Sequence, residues 1–159
     1  MRHSRERLIS LENQGKFVFH GYPEKIKKLE VKQPYIFNKE AEKEEKHENP
    51  CVSATPYIDI AIFRAIVNKK NFSDIVYASR FWINKNNSPQ FATTKEILKR
   101  TKNKEGFVYV LDKSLFKKFS DMEWRAYKNI KPIEIISVTA EDLPYNIQLI
   151  DENFNKIKK

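Results

Sequence analysis

The chain has 159 residues, 40 % of them apolar, a formal charge of +9 and a mean hydropathy of −0.67. That length and balance fit one globular domain with its own core, and the lack of any apolar run of about 18 residues argues against a membrane-embedded chain. A lone cysteine, Cys51, excludes an internal disulfide and offers no metal-ligand spacing, so stapled and zinc-held designs fall away and Cys51 reads as a buried apolar residue.

The opening stretch, MRHSRERLISLENQGK, alternates charge with apolar residues where a secretory signal needs a continuous hydrophobic run, so the expected location is cytoplasmic. FVFHG (17–21) reads as a strand. It ends on Gly21, where the backbone can turn sharply and a ligand can approach without meeting a side chain. The segment 34–50, with the charge-dense KEAEKEEKHE inside it, reads as a loop or lid insertion in a single domain spanning 1–159. CVSAT (51–55) reads as a second strand. YIDIAIFRAIVNKK (57–70) reads as a helix with Ile58, Ala61, Ile62, Ala65 and Ile66 on one face.

DIVYASRFWI (74–83) is expected to be extended, TTKEILKRTK (93–102) helical behind a threonine cap, and GFVYVLD (106–112) a buried strand. KSLFKKFS (113–120) is a short helix candidate. MEWRAY (122–127) and PIEIISVTA (132–140) finish as strands, with Pro132 where a strand begins. Strands outnumber helices and the helices do not alternate with them, so the expected class is α+β and a doubly wound parallel sheet is disfavoured.

No phosphate-binding glycine loop, dinucleotide glycine fingerprint, nucleophile elbow or His-x-x-x-His pair occurs. The polar residues set in or beside apolar, strand-like runs are His20, Ser53, Thr55, Tyr57, Glu123, Arg125 and Tyr127, where an unpaired polar group is costly. Each also has a structural reading. His20 can be a satisfied strand-end histidine, Glu123 half of a cross-strand ion pair with Arg125 or a lysine on the next strand, Asp121 a turn cap, and Tyr57 and Phe63 core residues.

The order of these motifs resembles the ADP-ribosyltransferase family of the His-Tyr-Glu type, in a small, divergent form of the kind found in bacteria and phages. FHGYPEKIKKL is similar to that family's His-Gly strand end followed by a short helical segment. MEWRAYKNIKPIEIISV is similar to its late glutamate, with Glu123, Trp124, Tyr127 and Pro132 at the matching spacing. The resemblance implies split antiparallel sheets with a few flanking helices. It also implies NAD as substrate, with His20 on the adenosine ribose, the Gly21 backbone on the nicotinamide amide, and Glu123 catalytic at the nicotinamide ribose. The family's nicotinamide-stacking tyrosine falls at Val52, so Tyr57 and Phe63 are the replacement rings. Ser53 and Thr55 resemble the hydroxyls that brace the glutamate in the arginine-type branch.

For the acceptor, the basic stretch KEILKRTKNK (95–104) beside Phe81, Trp82 and Phe91 combines lysines with rings, as single-strand nucleic-acid grooves do. The expected activity is therefore NAD-dependent ADP-ribosyl transfer to RNA, DNA or a nucleic-acid-associated protein. The resemblance implies a toxin or a phage or host-defence effector, with an antitoxin or regulator as a further partner. Two alternative readings stand beside it: a catalytically inactive basic nucleic-acid-binding module of the same fold, and a structural or antitoxin-like protein without an NAD site.

Overall fold

A computed structural model describes residues 3–33, 35–38, 43–46 and 49–150. In chain order these form α1 (His3–Asn13), β1 (Phe17–Tyr22), β2 (Tyr35–Asn38), β3 (Lys43–Lys46), β4 (Val52–Ala54), α2 (Ile58–Ile66), β5 (Ser79–Ile83), β6 (Pro89–Thr94), α3 (Lys95–Arg100), β7 (Glu105–Asp112), β8 (Lys117–Lys118), β9 (Trp124–Ala126), β10 (Glu134–Thr139) and β11 (Ile147–Ile150).

The most apolar strand, β7, is central. It pairs antiparallel with β1 on one edge and β10 on the other. Its residues alternate between two cores, as the two-residue period of a strand demands. Val108 and Val110 join Phe19, Val138 and the apolar side of α2, whereas Tyr109 and Leu111 join Val18 and residues Val52, Ala54 and Ala126 of β4 and β9. The β1–β7–β10 sheet is thus a middle layer between α2 and a second small sheet, ordered β4–β9–β8. A third sheet, β11–β6–β5, and the β2–β3 pair complete a mixed α+β architecture.

Helix α2 is apolar enough to be buried nearly all round, and two glycines let it approach the sheet. A Cβ at Gly21 would lie 1.8 Å from the Ala61 carbonyl oxygen, and one at Gly106 2.4 Å from that of Ala65, one turn further along. The facing pair Ala61 and Ala65 keeps the helix side equally slim. Tyr57, at the N-cap position, supplies no capping side chain; the first free N–H, that of Ile58, donates instead to Glu12 Oε2 of α1 at 2.8 Å. Helix α3 is capped as its sequence implies, the Thr94 hydroxyl accepting from the Ile97 N–H.

Several expectations need correcting. KSLFKKFS makes a 3-10 turn over Lys113–Leu115, and the chain is then extended through buried Phe116 into β8. Helix α1 and strands β6 and β11 had no counterpart in the sequence reading, and β11 pairs parallel with β6, so the sheets are not uniformly antiparallel. Within 34–50, β2 and β3 form an antiparallel ladder from Tyr35↔Lys46 to Asn38↔Lys43. Residues 34, 39–42 and 47–48 of that segment lie outside the described residues, and its expected lid role is left as an expectation. Among the described residues no helix is long and apolar enough to cross a membrane.

Gly106→Ala places a methyl group into the α2 backbone away from the cleft described below. It should lower stability by about 1–3 kcal/mol, read as a lower urea midpoint at unchanged slope. An unchanged midpoint would mean that α2 does not rest on this strand.

Candidate functional site

The cleft arises where β1 and β4 part. Phe19 and Thr55 exchange backbone hydrogen bonds at 2.7 and 2.8 Å, and that bridge is isolated. By the alternation of the ladder, the N–H and C=O of Gly21 point to the same edge as those of Phe19, past the last pairing with β4. The α2 backbone fills the space above Gly21, so this residue is glycine for packing, and its backbone polar groups still face the cleft.

His20 lies between Phe19 and Gly21, with its side chain on the opposite face of the sheet from α2. Its Nδ1 donates to the Ser53 carbonyl at 2.6 Å, which leaves Nε2 as the acceptor of a neutral ring. Burial is the largest cause that lowers its pKa from 6.5 to about 4; the Ser53 carbonyl opposes the fall, and the Arg64 and Lys32 charges add to it. The imidazole is therefore a neutral hydrogen-bonding group at physiological pH.

Glu123 enters from the turn before β9. Its carbonyl accepts from the Phe119 and Ser120 N–H groups, and its own N–H donates to the Ser120 hydroxyl, so three bonds fix the backbone. The carboxylate is held through one oxygen. Oε2 accepts from Ser53 Oγ at 2.9 Å and from Arg125 Nε at 2.6 Å, while Oε1 accepts no hydrogen bond from the described residues. Arg125 is 5 % exposed and stacks on Phe119, its Cζ 3.5 Å from the ring centroid. The ion pair expected with Arg125 is therefore present, made between a turn residue and the strand that follows it and not across two strands, and it orients the carboxylate through one oxygen.

Two adjoining cavities of about 270 and 230 Å³ meet here, and His20, Gly21, Ser53, Arg64 and Glu123 line both. Each is small for a ligand pocket; together they reach the usual range. Thr55 lines the second cavity, but its hydroxyl accepts from the Tyr57 N–H. Tyr57 packs at the rim of the larger core and lines neither cavity. Phe63 is 1 % exposed and stacks against Phe91 at 4.9 Å, so it too lies outside the cleft. Val52 is buried and backs the first cavity. Tyr127 is exposed, and Asp121 pairs with Lys118 at 3.2 Å. Among the described residues, no group of three His, Cys, Asp or Glu side chains is placed to hold a metal.

Arg64, Tyr22 and Lys32 went unnoticed in the sequence. Arg64 and Asp59 are the two charged residues of α2, and the Arg64 guanidinium makes no ion pair or hydrogen bond among the described residues, resting near the Phe81 ring at 5.5 Å. Tyr22 lines the first cavity, with Lys32 Nζ 5.0 Å from its ring centroid. Comparison of the chain with protein-family models, curated proteins and solved structures finds no match.

Because the folded pKa of His20 lies near 4 and the unfolded value near 6.5, the unfolded chain binds more protons between those limits. The stability this site contributes is complete above about pH 6.5 and falls as the pH drops toward 4, by up to roughly 3 kcal/mol. Urea unfolding at pH 7 and pH 4.5 should show the loss in the wild type, and His20→Asn should flatten it; parallel declines in both proteins would contradict the assignment.

Proposed function

We propose that the chain is an NAD-dependent ADP-ribosyltransferase whose site is the cleft between β1 and β4. The observation that carries this reading is that His20 and Glu123, from opposite ends of the chain, line one two-lobed cavity with the Gly21 backbone between them. The two lobes suit a dinucleotide, the neutral His20 ring suits a ribose hydroxyl, and the Gly21 N–H and C=O suit an amide.

The chemistry asks for a fixed negative charge. As the bond between ribose C1′ and the nicotinamide nitrogen breaks, nicotinamide leaves as a neutral molecule with the bonding pair and positive charge develops on the ribose. A carboxylate held on one oxygen by Ser53 and Arg125 keeps its other oxygen for a ribose hydroxyl and stabilises that charge without reorganising. An acceptor oxygen or nitrogen then bonds C1′ and gives up its proton to Glu123 Oε1 or to water.

The second reading, a catalytically inactive nucleic-acid-binding module, is favoured by Val52 standing where the related family stacks a tyrosine, together with the +9 charge. Nicotinamide release separates the two. Purified protein with excess NAD should release nicotinamide, and Glu123→Gln should slow that release by at least about a hundredfold while NAD binding measured by calorimetry changes only a few-fold. Circular dichroism of the variant controls for folding, since the substitution weakens a partner of buried Arg125. No release in the presence of RNA, DNA or cell lysate, or equal release by the variant, would overturn the enzymatic reading.

A further inference from the structure

A third cavity, of about 320 Å³, adjoins the cleft, sharing Arg64 with both lobes, Asn68 with the first and Phe81 with the second, and is lined further by Lys69, Tyr77, Ser79 and the edge of the otherwise buried Phe63. Its chemistry is one-sided. Arg64 and Lys69 are its charged residues, neither has an ion pair or hydrogen bond through its side chain, and no carboxylate lines it. The neutral polar groups are already engaged: Tyr77 OH donates to the Val67 carbonyl at 2.9 Å, Ser79 donates to Tyr77, and Asn68 donates to the Arg64 carbonyl at 3.1 Å. What remains free is two cations and the half-buried Phe81 ring.

The cations do not stop at this cavity. Lys70 follows Lys69 in the turn after α2, paired with Glu24 at 3.6 Å and with its Nζ 5.2 Å from the Tyr22 ring centroid, and Lys32 approaches the same ring at 5.0 Å. Lysines and arginine thus border the cleft from Phe81 to Tyr22, with a ring at each end. Cations beside stackable rings are the elements of a single-strand nucleic-acid groove, which meets phosphates with charge and bases with ring faces. A concavity of this size admits one nucleotide and is far too narrow for a duplex.

We propose that this third cavity is the acceptor subsite and holds a nucleotide of single-stranded nucleic acid, its phosphate on Arg64 and Lys69 and its base against Phe81. The acceptor role rests on the transferase reading, whereas the binding itself does not. Arg64 forms the wall common to cleft and subsite, so an acceptor seated here lies beside the lobes assigned to NAD. The proposal places the nucleic-acid surface on Lys69 at the end of α2 and not on Lys95 and Lys99 of α3, in the basic stretch 95–104. Phe91, one of the rings that recommended that stretch, is fully buried.

The test is fluorescence anisotropy of a labelled single-stranded RNA or DNA 12-mer with the full chain and no NAD. Binding should weaken with salt. Lys69→Gln should lower affinity about three- to tenfold and reduce the salt slope by about 0.7, the value for one phosphate contact on a single strand. Arg64→Met with Lys69→Gln should lower it by more than tenfold, and Lys95→Gln with Lys99→Gln by less than twofold. Affinity that follows the α3 pair and ignores Lys69 would overturn the proposal, as would absence of binding, or an acidic phosphopeptide that binds where the oligonucleotide does not. The nicotinamide assay is independent: oligonucleotide binding through Lys69 without nicotinamide release would leave the subsite standing and remove the transferase reading.

Discussion

The close seating of α2 on the central sheet governs the rest of the structure. Gly21 and Gly106 present bare backbone to Ala61 and Ala65, and side chains at either glycine would collide with the helix. Seated this deep, α2 buries Ile58, Ile62 and Ile66 against Phe19, Val108 and Val138 in one continuous core. The same seating fixes where Arg64 emerges, since it follows Phe63 in the last turn of a helix whose axis is set by those contacts. A core requirement and a site requirement therefore share one glycine: Gly21 admits the helix on one side and keeps its backbone groups toward the cleft.

The polar groups form a connected series. His20 leans on the Ser53 carbonyl, Ser53 donates its hydroxyl to Glu123, and Glu123 accepts from Arg125, which is stacked on Phe119. Each member restricts the next. A buried arginine without this carboxylate would leave an uncompensated charge, and a carboxylate without Arg125 and Ser53 would be free to rotate. The backbone bonds of the Ser120–Glu123 turn add a second restraint. The result is a fixed anion with one oxygen to offer, facing a neutral imidazole and an unpaired guanidinium.

Much of this was legible in the sequence because apolar runs declare themselves. FVFHG, GFVYVLD and IDIAIFRAI gave the central strands and the long apolar helix, and the His-Gly and late-glutamate motifs brought attention to His20, Gly21, Ser53 and Glu123. The rest was hidden for physical reasons. In α1 only Leu8 and Leu11 are buried, too faint a stripe among charges. β6 carries threonines whose burial depends on partners such as Ala78, whose carbonyl accepts from the Thr93 hydroxyl. Phe63 and Phe91 offered rings to a site, but large apolar side chains are worth most in the interior, and the two fill the core against each other. Arg64 was concealed by its surroundings, a charge between the buried residues Phe63 and Ala65.

The isolated bridge between Phe19 and Thr55 has a consequence for recognition. Beyond it, β1 offers the amide and carbonyl of Gly21 as an unfilled rung, so a planar amide-bearing molecule that docks there stands in for the missing residue of a neighbouring strand. Main-chain grip of this sort needs no particular side chain around it, so the rung is set by where the two strands part and not by the residues that line the cleft.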